Sequence, residues 1–423
     1  MQTGNLHLDQ APPEDIPFRF FLSGPFFGIL AGGLIFFGNT SLFLTTWHME
    51  TVALTHLITL GWLALIMMGA FYQMVPVLVG GHVPYLPLAR FVHGGMVLGI
   101  VFFTGGLISS NERNLLTIGG ILLVISVLLF LIQLTIALFR VKASRPTVLA
   151  MRISIISLAI VTLLGGLLLG QLAGWWALPF NRESIKGIHL TFGLLGWVGC
   201  LIVGVGFHVI PMFYLATSFP VKQAWWVLYL LLATLIFLPA SMAIRLGAHW
   251  SIMALLPAIA GSGLFIMTLV GLFQKRKRKV VDTTLRYWQL GLSSLLLSFL
   301  VCLIYPWLPH QNLLFFFGLL FLLGFGVSIT NGMLYKIVPF LIWLHRFSSL
   351  VGKVRVPFMS DITPAAKTKR QLQLSVVSYV VLAMGIASHQ DWILQLGGIL
   401  LMVSSGMLFL NLYFSIQIKA PEI

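Results

Sequence analysis

Two histidines that each open a long apolar segment are the residues of this chain best suited to chemistry. His56 begins the segment HLITLGWLALIMMGAFYQMVPVL, and His189 begins the segment HLTFGLLGWVGCLIVGVGFHVIPMF. Imidazole is a good ligand for iron or copper, and ionisable groups within a membrane are functional by default. We expect the two imidazoles to lie on facing helices and to hold one haem iron from both sides. The alternative is that each histidine is a hydrogen-bonded residue at a helix boundary.

The spacing of each histidine from the next proline indicates a shared depth. His56 precedes that proline by 20 residues and His189 by 22. At about 1.5 Å per residue, both imidazoles would lie about 30 Å from the prolines and near one face of a membrane. A Gly-Trp pair follows each histidine, so we expect Trp62 and Trp197 to line the same site. In a third similar segment, residues 317–319 occupy the corresponding place and contain no histidine.

The composition excludes a soluble protein. Of the 423 residues, 59% are hydrophobic and 8% are charged, whereas a soluble domain carries about 25% charged residues. The mean hydropathy of +1.00 predicts a surface that largely faces lipid. Long apolar runs without period-two alternation predict an all-α integral membrane protein rather than a barrel. Twelve transmembrane helices are predicted, at 20–44, 56–79, 91–109, 115–139, 150–172, 188–214, 224–244, 250–273, 286–308, 313–343, 372–388 and 392–416.

Basic residues are concentrated on one side of the predicted helices. Of the 25 Lys and Arg residues, 20 fall on the side of the N-terminus, four on the other side, and Lys336 within predicted helix 10. The positive-inside rule places both termini in the cytoplasm, and we expect a multi-pass protein of the bacterial inner membrane. Topology explains the net charge of +15, so no nucleic-acid partner is expected. The run KRKRK at 275–279 indicates a stop-transfer anchor, with anionic-lipid binding as the alternative. Residues 1–19 predict a short cytoplasmic tail rather than a cleaved signal.

One sequence pattern recurs three times along the chain. The segments GAFYQMVPVL at 69–78, GVGFHVIPMF at 204–213 and NGMLYKIVPFL at 331–341 each contain a glycine, an aromatic residue, a polar residue and a proline. The prolines are 135 and 128 residues apart, which is a period of four predicted helices. The pattern predicts one domain of three four-helix units around a pseudo-threefold axis, with helices 2, 6 and 10 in equivalent places. The repeat units are about 20–139, 150–273 and 286–416.

Polar residues at equivalent places of the repeat predict a second region of interest. Gln73, His208 and Lys336 align in the three segments, and buried polar groups at three equivalent positions suggest an inner polar cluster. For Lys336 the alternative is that its ammonium snorkels to the membrane surface. His82, His93 and His208 also leave open a second haem or metal at this end. The predicted members of the inner cluster are Gln73, His93, His208, Asn331, Tyr335 and Lys336.

Predicted helices 2 and 6 resemble part of a known family. The stretch HLITLGWLALIMMGAFYQMVPVLVGG is similar to helix II of subunit I of the haem-copper oxidases, most like the nitric oxide reductase and cbb3-type branches. The resemblance implies twelve helices in a pseudo-threefold arrangement, with His56 matching the helix II ligand of the low-spin haem. The family's His-x-His of helix X is missing, since helix 10 carries Asn331, Tyr335 and Lys336. The adjacent histidine pair of helix VII is missing too. The resemblance therefore implies an oxidase scaffold without its reaction centre.

These observations predict a haem-binding inner-membrane protein that transfers electrons or binds NO or O₂ in respiratory or nitric oxide metabolism. Haem b is the expected cofactor because the chain has no CxxCH motif, and copper is the alternative metal. Cys200 and Cys302 lie in apolar runs and predict neither a disulfide nor a zinc cluster. Membrane lipid and a respiratory or denitrification protein are the expected partners, and enzymatic activity stays open. Two alternatives remain: a cofactor-free transporter or channel with a polar path through helices 2, 6 and 10, and an assembly partner of a respiratory complex.

Overall fold

The computed structural model describes residues 10–109, 112–142, 145–177, 181–277 and 279–420. Within them, twelve helices are long and apolar enough to cross a membrane, which confirms the all-α class and the number of spans. Such apolar runs form helices, because in lipid each segment must satisfy its own backbone hydrogen bonds. The helices are α1 (Asp15–Phe37), α2 (Met49–Val79), α3 (Leu88–Ile108), α4 (Arg113–Arg140), α5 (Pro146–Leu172), α6 (Arg182–Tyr214), α7 (Val221–Ala243), α8 (Ala248–Lys275), α9 (Thr283–Ile304), α10 (Gln311–Leu350), α11 (Ala365–Ser388) and α12 (Asp391–Ile416).

Four helix ends differ from the predictions by seven residues. Helix α2 begins at Met49, α10 continues to Leu350 and α11 begins at Ala365. The first turns of α2 and α11 and the last turn of α10 are helical but polar. A prediction based on apolar runs therefore leaves these turns out. Helix α1 ends early, at Phe37, because an extended residue and the 3₁₀ turn Thr40–Phe43 follow it.

Because consecutive helices run in opposite directions, the connections gather at two ends of the bundle. We call the end with the loops after α1, α3, α5, α7, α9 and α11 the histidine end, because His56 and His189 lie near it. The other end carries the loops after the even-numbered helices and most Lys and Arg residues, and we call it the basic end. Residues 1–9 of the predicted cytoplasmic tail and Arg278 of the basic run lie outside the described residues.

Helices α2, α6 and α10 each contain a widened, π-helical segment. These segments are Leu57–Ala64, Phe192–Gly199 and Leu319–Val327. Each begins 19 or 20 residues before the proline of the repeated pattern. Long π-helical stretches are rare, and π-bulges occur frequently at functional sites. The sequence repeat is therefore accompanied by a repeat of an unusual backbone.

Two glycines precede each of these prolines at a fixed spacing and bring neighbouring helices together. A Cβ added at Gly61 would lie 2.5 Å from Phe27 of α1. Gly196 approaches α5 and Gly324 approaches α9 in the same way, at 2.3 and 2.6 Å. Because small residues let helices pack closely in lipid, the pairs α1/α2, α5/α6 and α9/α10 share one kind of contact. The glycines and prolines are Gly61, Gly69 and Pro76; Gly196, Gly204 and Pro211; and Gly324, Gly332 and Pro339.

The other helices surround these three pairs. Helix α3 packs on α4, α7 on α8, and α11 on α12. Further contacts join α4 to α5, α8 to α9, and α12 to α1. Helices α2, α6 and α10 face one another and line empty space at the middle of the bundle. The residues that the sequence singles out for chemistry therefore lie mainly on the three central helices.

Candidate functional site

His56 is held by the backbone of its own helix. It is the last residue before the π-helical segment of α2. Its Nδ1 lies 2.7 Å from the carbonyl oxygen of Val52, one turn earlier, and donates a hydrogen bond to it. The proton is thereby assigned to Nδ1, and the lone pair to Nε2. In metal sites a hydrogen bond of this kind orients the ligating imidazole and raises its basicity. His56 therefore presents an unprotonated Nε2, the atom that could hold a metal ion.

His189 lies in the last α-helical turn of α6 before the π-helical segment of that helix. Gly165 of α5 faces its ring, because a Cβ at this position would be 3.2 Å from Cε1 and 3.7 Å from Nδ1. The missing side chain at position 165 leaves room for the imidazole. Nδ1 of His189 is enclosed by protein and makes no hydrogen bond of ordinary geometry among the described residues, although the backbone carbonyl of Val161 on α5 lies near the imidazole as an acceptor.

The two imidazoles lie next to each other between α2 and α6. Their ring centroids are 6.4 Å apart, and their planes are inclined by 38°. An imidazole nitrogen lies about 2.0–2.1 Å from a bound metal ion and about 1.1 Å from the centre of its own ring. Two imidazoles that bind one ion from opposite sides therefore have ring centroids about 6.2–6.4 Å apart. In the described part of the chain neither Nε2 has a hydrogen-bond partner. Both residues are only half-buried.

The number of ligands at this site fits a haem. Two histidines are few for an ion held by protein alone, since such ions usually take four ligands or more. Within the described residues, no group of three or more His, Cys, Asp or Glu side chains could hold a metal ion. A porphyrin supplies four nitrogen ligands itself and takes only its axial ligands from the protein. Copper would fit here only with further ligands from outside this pair.

The two histidines do not occupy the same position of the repeat. His56 stands five residues before Gly61, and His189 stands seven residues before Gly196. If α2 and α6 are related by a rotation about a common axis, as the repeat predicts, equivalent residues point in the same sense around that axis. Imidazoles at equivalent positions would then not face each other. An offset of two residues turns a helical side chain by about 200°. This offset accounts for the meeting of the two rings between α2 and α6.

Contacts at the histidine end hold the first turns of α2 and α6 together. Trp47, just before α2, donates its indole N–H to the carboxylate of Glu183. The guanidinium of Arg182 lies 3.8 Å from the centre of the same indole ring. Lys186 Nζ lies 2.7 Å from Glu183 and 4.1 Å from the Trp47 ring. Because Lys186 stands one turn before His189, these contacts fix the position of that imidazole relative to α2.

Two neighbours of the histidines were not predicted from the sequence. Phe103 of α3 contacts the His56 ring edge to face, with centroids 5.2 Å apart. Gly165 belongs to the run GGLLLG at 165–170, which by itself indicates only close helix approach. Two adjacent glycines of α5 lie at the depth of His189 on the neighbouring helix. This coincidence is a sequence signal from which the contact could have been predicted. No comparable signal distinguishes one phenylalanine among 33.

Trp62 and Trp197 pack against other helices and have no ring contact with the imidazoles. Trp62 is 1% exposed, its ring packs against Gly28 of α1, and its Nε1 donates to Asn331 Oδ1 over 3.2 Å. Trp197 stacks on Phe71 with centroids 5.6 Å apart. Across the described ranges, neither indole has an aromatic contact with His56 or His189. The glycines of the two Gly-Trp pairs contact α1 and α5, and that the indoles line a cofactor site stays a prediction.

The six residues of the predicted inner cluster have separate surroundings. No hydrogen bond joins any two of them in the part of the chain that the structure describes. Asn331 pairs with an indole of α2, as above, and Gln73 is buried with its Oε1 enclosed and unpartnered. His208 is half-buried on α6, whereas His93 Nε2 lies 2.8 Å from Ser23 Oγ on α1. Equivalent places in the repeat therefore meet different neighbours, because the surrounding helices differ in sequence.

Tyr335 belongs to a polar network between α9, α10, α11 and α12 that the sequence did not indicate. Its hydroxyl accepts a hydrogen bond from Asn411 Nδ2 over 2.9 Å and donates to Gln371 Oε1 over 3.4 Å. Gln371 is fully buried, accepts a further hydrogen bond from Tyr287, and donates to Ser375 over 3.0 Å. Hydrogen bonds between helices stabilise membrane bundles. This network joins the last four helices to one another.

Lys336 forms an ion pair at the basic end. Its Nζ lies 2.6 Å from Asp282 Oδ2. Asp282 precedes α9, accepts hydrogen bonds from Thr284 Oγ1 and the Leu285 N–H, and so caps that helix. Burial raises the pKa of the Asp282 carboxyl, but the Lys336 ammonium and these hydrogen bonds outweigh burial and hold the pKa below its ordinary value. The ammonium of Lys336 is therefore paired within the protein.

No protein-family model matches this chain, and a search of curated proteins gives no match.

Proposed function

We propose that this chain is a haem-binding membrane protein in which His56 of α2 and His189 of α6 are the two axial ligands of one b-type haem. The observation that carries the proposal is the 6.4 Å separation of the two ring centroids. The hydrogen bond from His56 Nδ1, which leaves Nε2 as the ligand atom, supports it. A haem with two imidazole ligands supplies one-electron chemistry between its ferric and ferrous states.

Residues of this chain would orient both ligands. The carbonyl of Val52 holds the His56 ring, Gly165 leaves room for the His189 ring, and the contact between Trp47 and Glu183 holds the two helix ends together. With both axial positions taken by histidine, NO or O₂ could reach the iron only if one histidine left. The ligand pair therefore favours electron transfer over gas binding.

We also propose that the twelve helices form three four-helix units around a pseudo-threefold axis, as in subunit I of the haem-copper oxidases. The recurring π-helical segments of α2, α6 and α10 and the recurring glycine contacts support this arrangement. The ligand pair departs from that family, because the family's His-x-His lies on helix X, whereas the second ligand here lies on α6. The chain would thus share a scaffold with the oxidases and use it differently.

The distribution of charge supports a location in the bacterial inner membrane. With the basic end in the cytoplasm, both termini would be inside and the haem would lie near the outer face. A respiratory or denitrification protein on that side would then be the redox partner. A cofactor-free transporter would instead need a polar path, and the space between α2, α6 and α10 is lined mainly by apolar side chains.

Optical spectroscopy on purified protein tests the proposal. Wild type, His56→Ala, His189→Ala and His249→Ala are prepared in mild detergent from haem-replete cells, with His249→Ala as the control because His249 lies exposed at the same end. We expect one haem per chain and a reduced α-band in wild type and in the control, and their loss in the other two. Metal analysis of the same samples distinguishes haem iron from copper. Wild type without haem, or equal haem in all four, would overturn the proposal and favour a transporter or an assembly partner.

A further inference from the structure

The three central helices line empty space near the middle of the bundle. Two adjoining cavities of about 60 and about 40 Å³ share Met74, Val209 and Ile337 in their walls, one residue from each of α2, α6 and α10. Protein interiors are close-packed and contain few voids larger than a water molecule. The larger void is about four to six times the minimum of about 10–15 Å³ that one water needs. Space of this size between three packed helices is therefore unusual.

The larger cavity is separate from the proposed haem site. Its nearest wall residues on α2 and α6 are Ile66 and Leu201. They stand ten residues beyond His56 and twelve beyond His189, so more than two helical turns separate them from the imidazoles, counting the wider turns of the π-helical segments between. A ligand in this cavity would not touch the imidazoles.

The walls of the cavities offer almost nothing for water to bind. In the larger cavity the polar side chains are Thr330 and Trp288. Thr330 Oγ1 already donates to the Gly326 carbonyl over 3.0 Å, and Trp288 Nε1 donates to Met333 Sδ over 3.4 Å. In the smaller cavity the polar residue is Gln73, whose Oε1 is enclosed by protein. A buried water needs two to four polar partners, so we expect these cavities to be dry.

We propose that this central cavity is a binding site for a small, neutral, apolar molecule in the size class of xenon or a dissolved diatomic gas. Such a ligand gains dispersion contacts on all sides and displaces no ordered water. The thioethers of Met67, Met74 and Met333 in the wall are polarisable and adapt to the shape of an occupant. Apolar molecules of this size dissolve in the hydrocarbon of the membrane and reach the bundle from there. The site needs no haem and adds a second function to the scaffold.

Crystals of the full chain pressurised with xenon test the proposal, because anomalous scattering locates the bound atom. We expect a xenon peak beside Ala70 of α2 and Val205 of α6, which both line the larger cavity. Ala70→Leu places three further carbon atoms in this space and should abolish the peak. Ala260→Leu is the matched control, since it makes the same change at an exposed position of α8, and it should keep the peak.

Three results would overturn the proposal: no xenon in the wild-type cavity, ordered water in its place, or an unchanged peak in Ala70→Leu. If Ala70→Leu does not fold, Val205→Ile narrows the cavity from α6 by one methylene and should lower the xenon occupancy. An unchanged occupancy in Val205→Ile would then count against the site. Haem content is recorded for every sample, so a failure of the haem proposal is distinguished from a failure of this one.

Discussion

Helix α2 meets two other central helices, and its two junctions differ. At the junction with α6, the rings of His56 and His189 stand 6.4 Å apart and are only half-buried. At the junction with α10, Trp62 is 1% exposed and donates to Asn331. All three helices repeat the same π-helical segment and the same glycine contact. The side chains, rather than the shared backbone, therefore decide which junction is fully packed and which is left partly open.

Truncating Trp62 should have the largest effect, and only on the packed junction. Trp62→Ala leaves a cavity between α1, α2 and α10, and substitutions of this kind cost about 3–5 kcal/mol. We expect a large fall in the thermal unfolding temperature with an unchanged haem content per folded molecule. Thermal unfolding in detergent and a haem assay on the folded fraction measure the two quantities. Haem loss without loss of stability would mean that Trp62 serves the histidine site after all.

Removing the acceptor of the Trp62 indole should have an intermediate effect. Asn331→Leu leaves the buried indole N–H without a partner, which costs about 1–3 kcal/mol. Because the combination Trp62→Phe with Asn331→Leu removes both polar groups, it should be less destabilised than the sum of the single changes. Unfolding of the four proteins in one double-mutant cycle measures this coupling. Additive effects would show that the hydrogen bond contributes little to the packed junction.

A methyl group at position 165 should disturb the open junction specifically. In Gly165→Ala the new Cβ would lie 3.2 Å from His189 Cε1, so the ring must shift by a few tenths of an ångström. We expect haem binding to weaken by up to about tenfold, or about 1.4 kcal/mol, in a haem titration of the apo-protein. Gly166→Ala is the matched control, since a Cβ at that position meets no atom within 4 Å. Equal affinity in both variants would remove Gly165 from the account of the site.

The ion pair of Lys336 and Asp282 at the basic end should give the smallest effect and leave both junctions unchanged. Because the pKa of Asp282 is lowered in the folded protein, the carboxylate stabilises the fold at neutral pH. This contribution is lost as the pH falls below the ordinary carboxyl range and through the lowered pKa. Asp282→Asn should lower the free energy of unfolding by about 1 kcal/mol near neutral pH. It should also make this free energy fall less steeply as the pH is lowered, which unfolding experiments between about pH 3 and about pH 8 measure. A changed haem spectrum in this variant would contradict the independence of the two ends.

The sequence predicts the elements of this protein better than the contacts between them. Hydropathy locates all twelve helices, because lipid leaves an apolar run no other regular structure. The sequence also identifies His56 and His189 as neighbours, from residue type and shared depth. It does not identify Phe103 or Gly165 as neighbours of the histidines. The faces by which two helices meet depend on the rotation and tilt of each helix, and no local sequence pattern encodes these. Asp282 was missed for a related reason, since it lies in a loop and its partner is 54 residues away.

Replacement of one ligand tests most directly the claim that His56 and His189 hold a single haem iron. In the ferric state, wild type should give the low-spin electron paramagnetic resonance spectrum of iron with two imidazole ligands. His189→Gly should lose this spectrum, and free imidazole should restore it by occupying the space that the side chain left. If His189→Gly keeps the wild-type low-spin spectrum without added imidazole, or if wild type contains no haem iron, the account of this site is wrong.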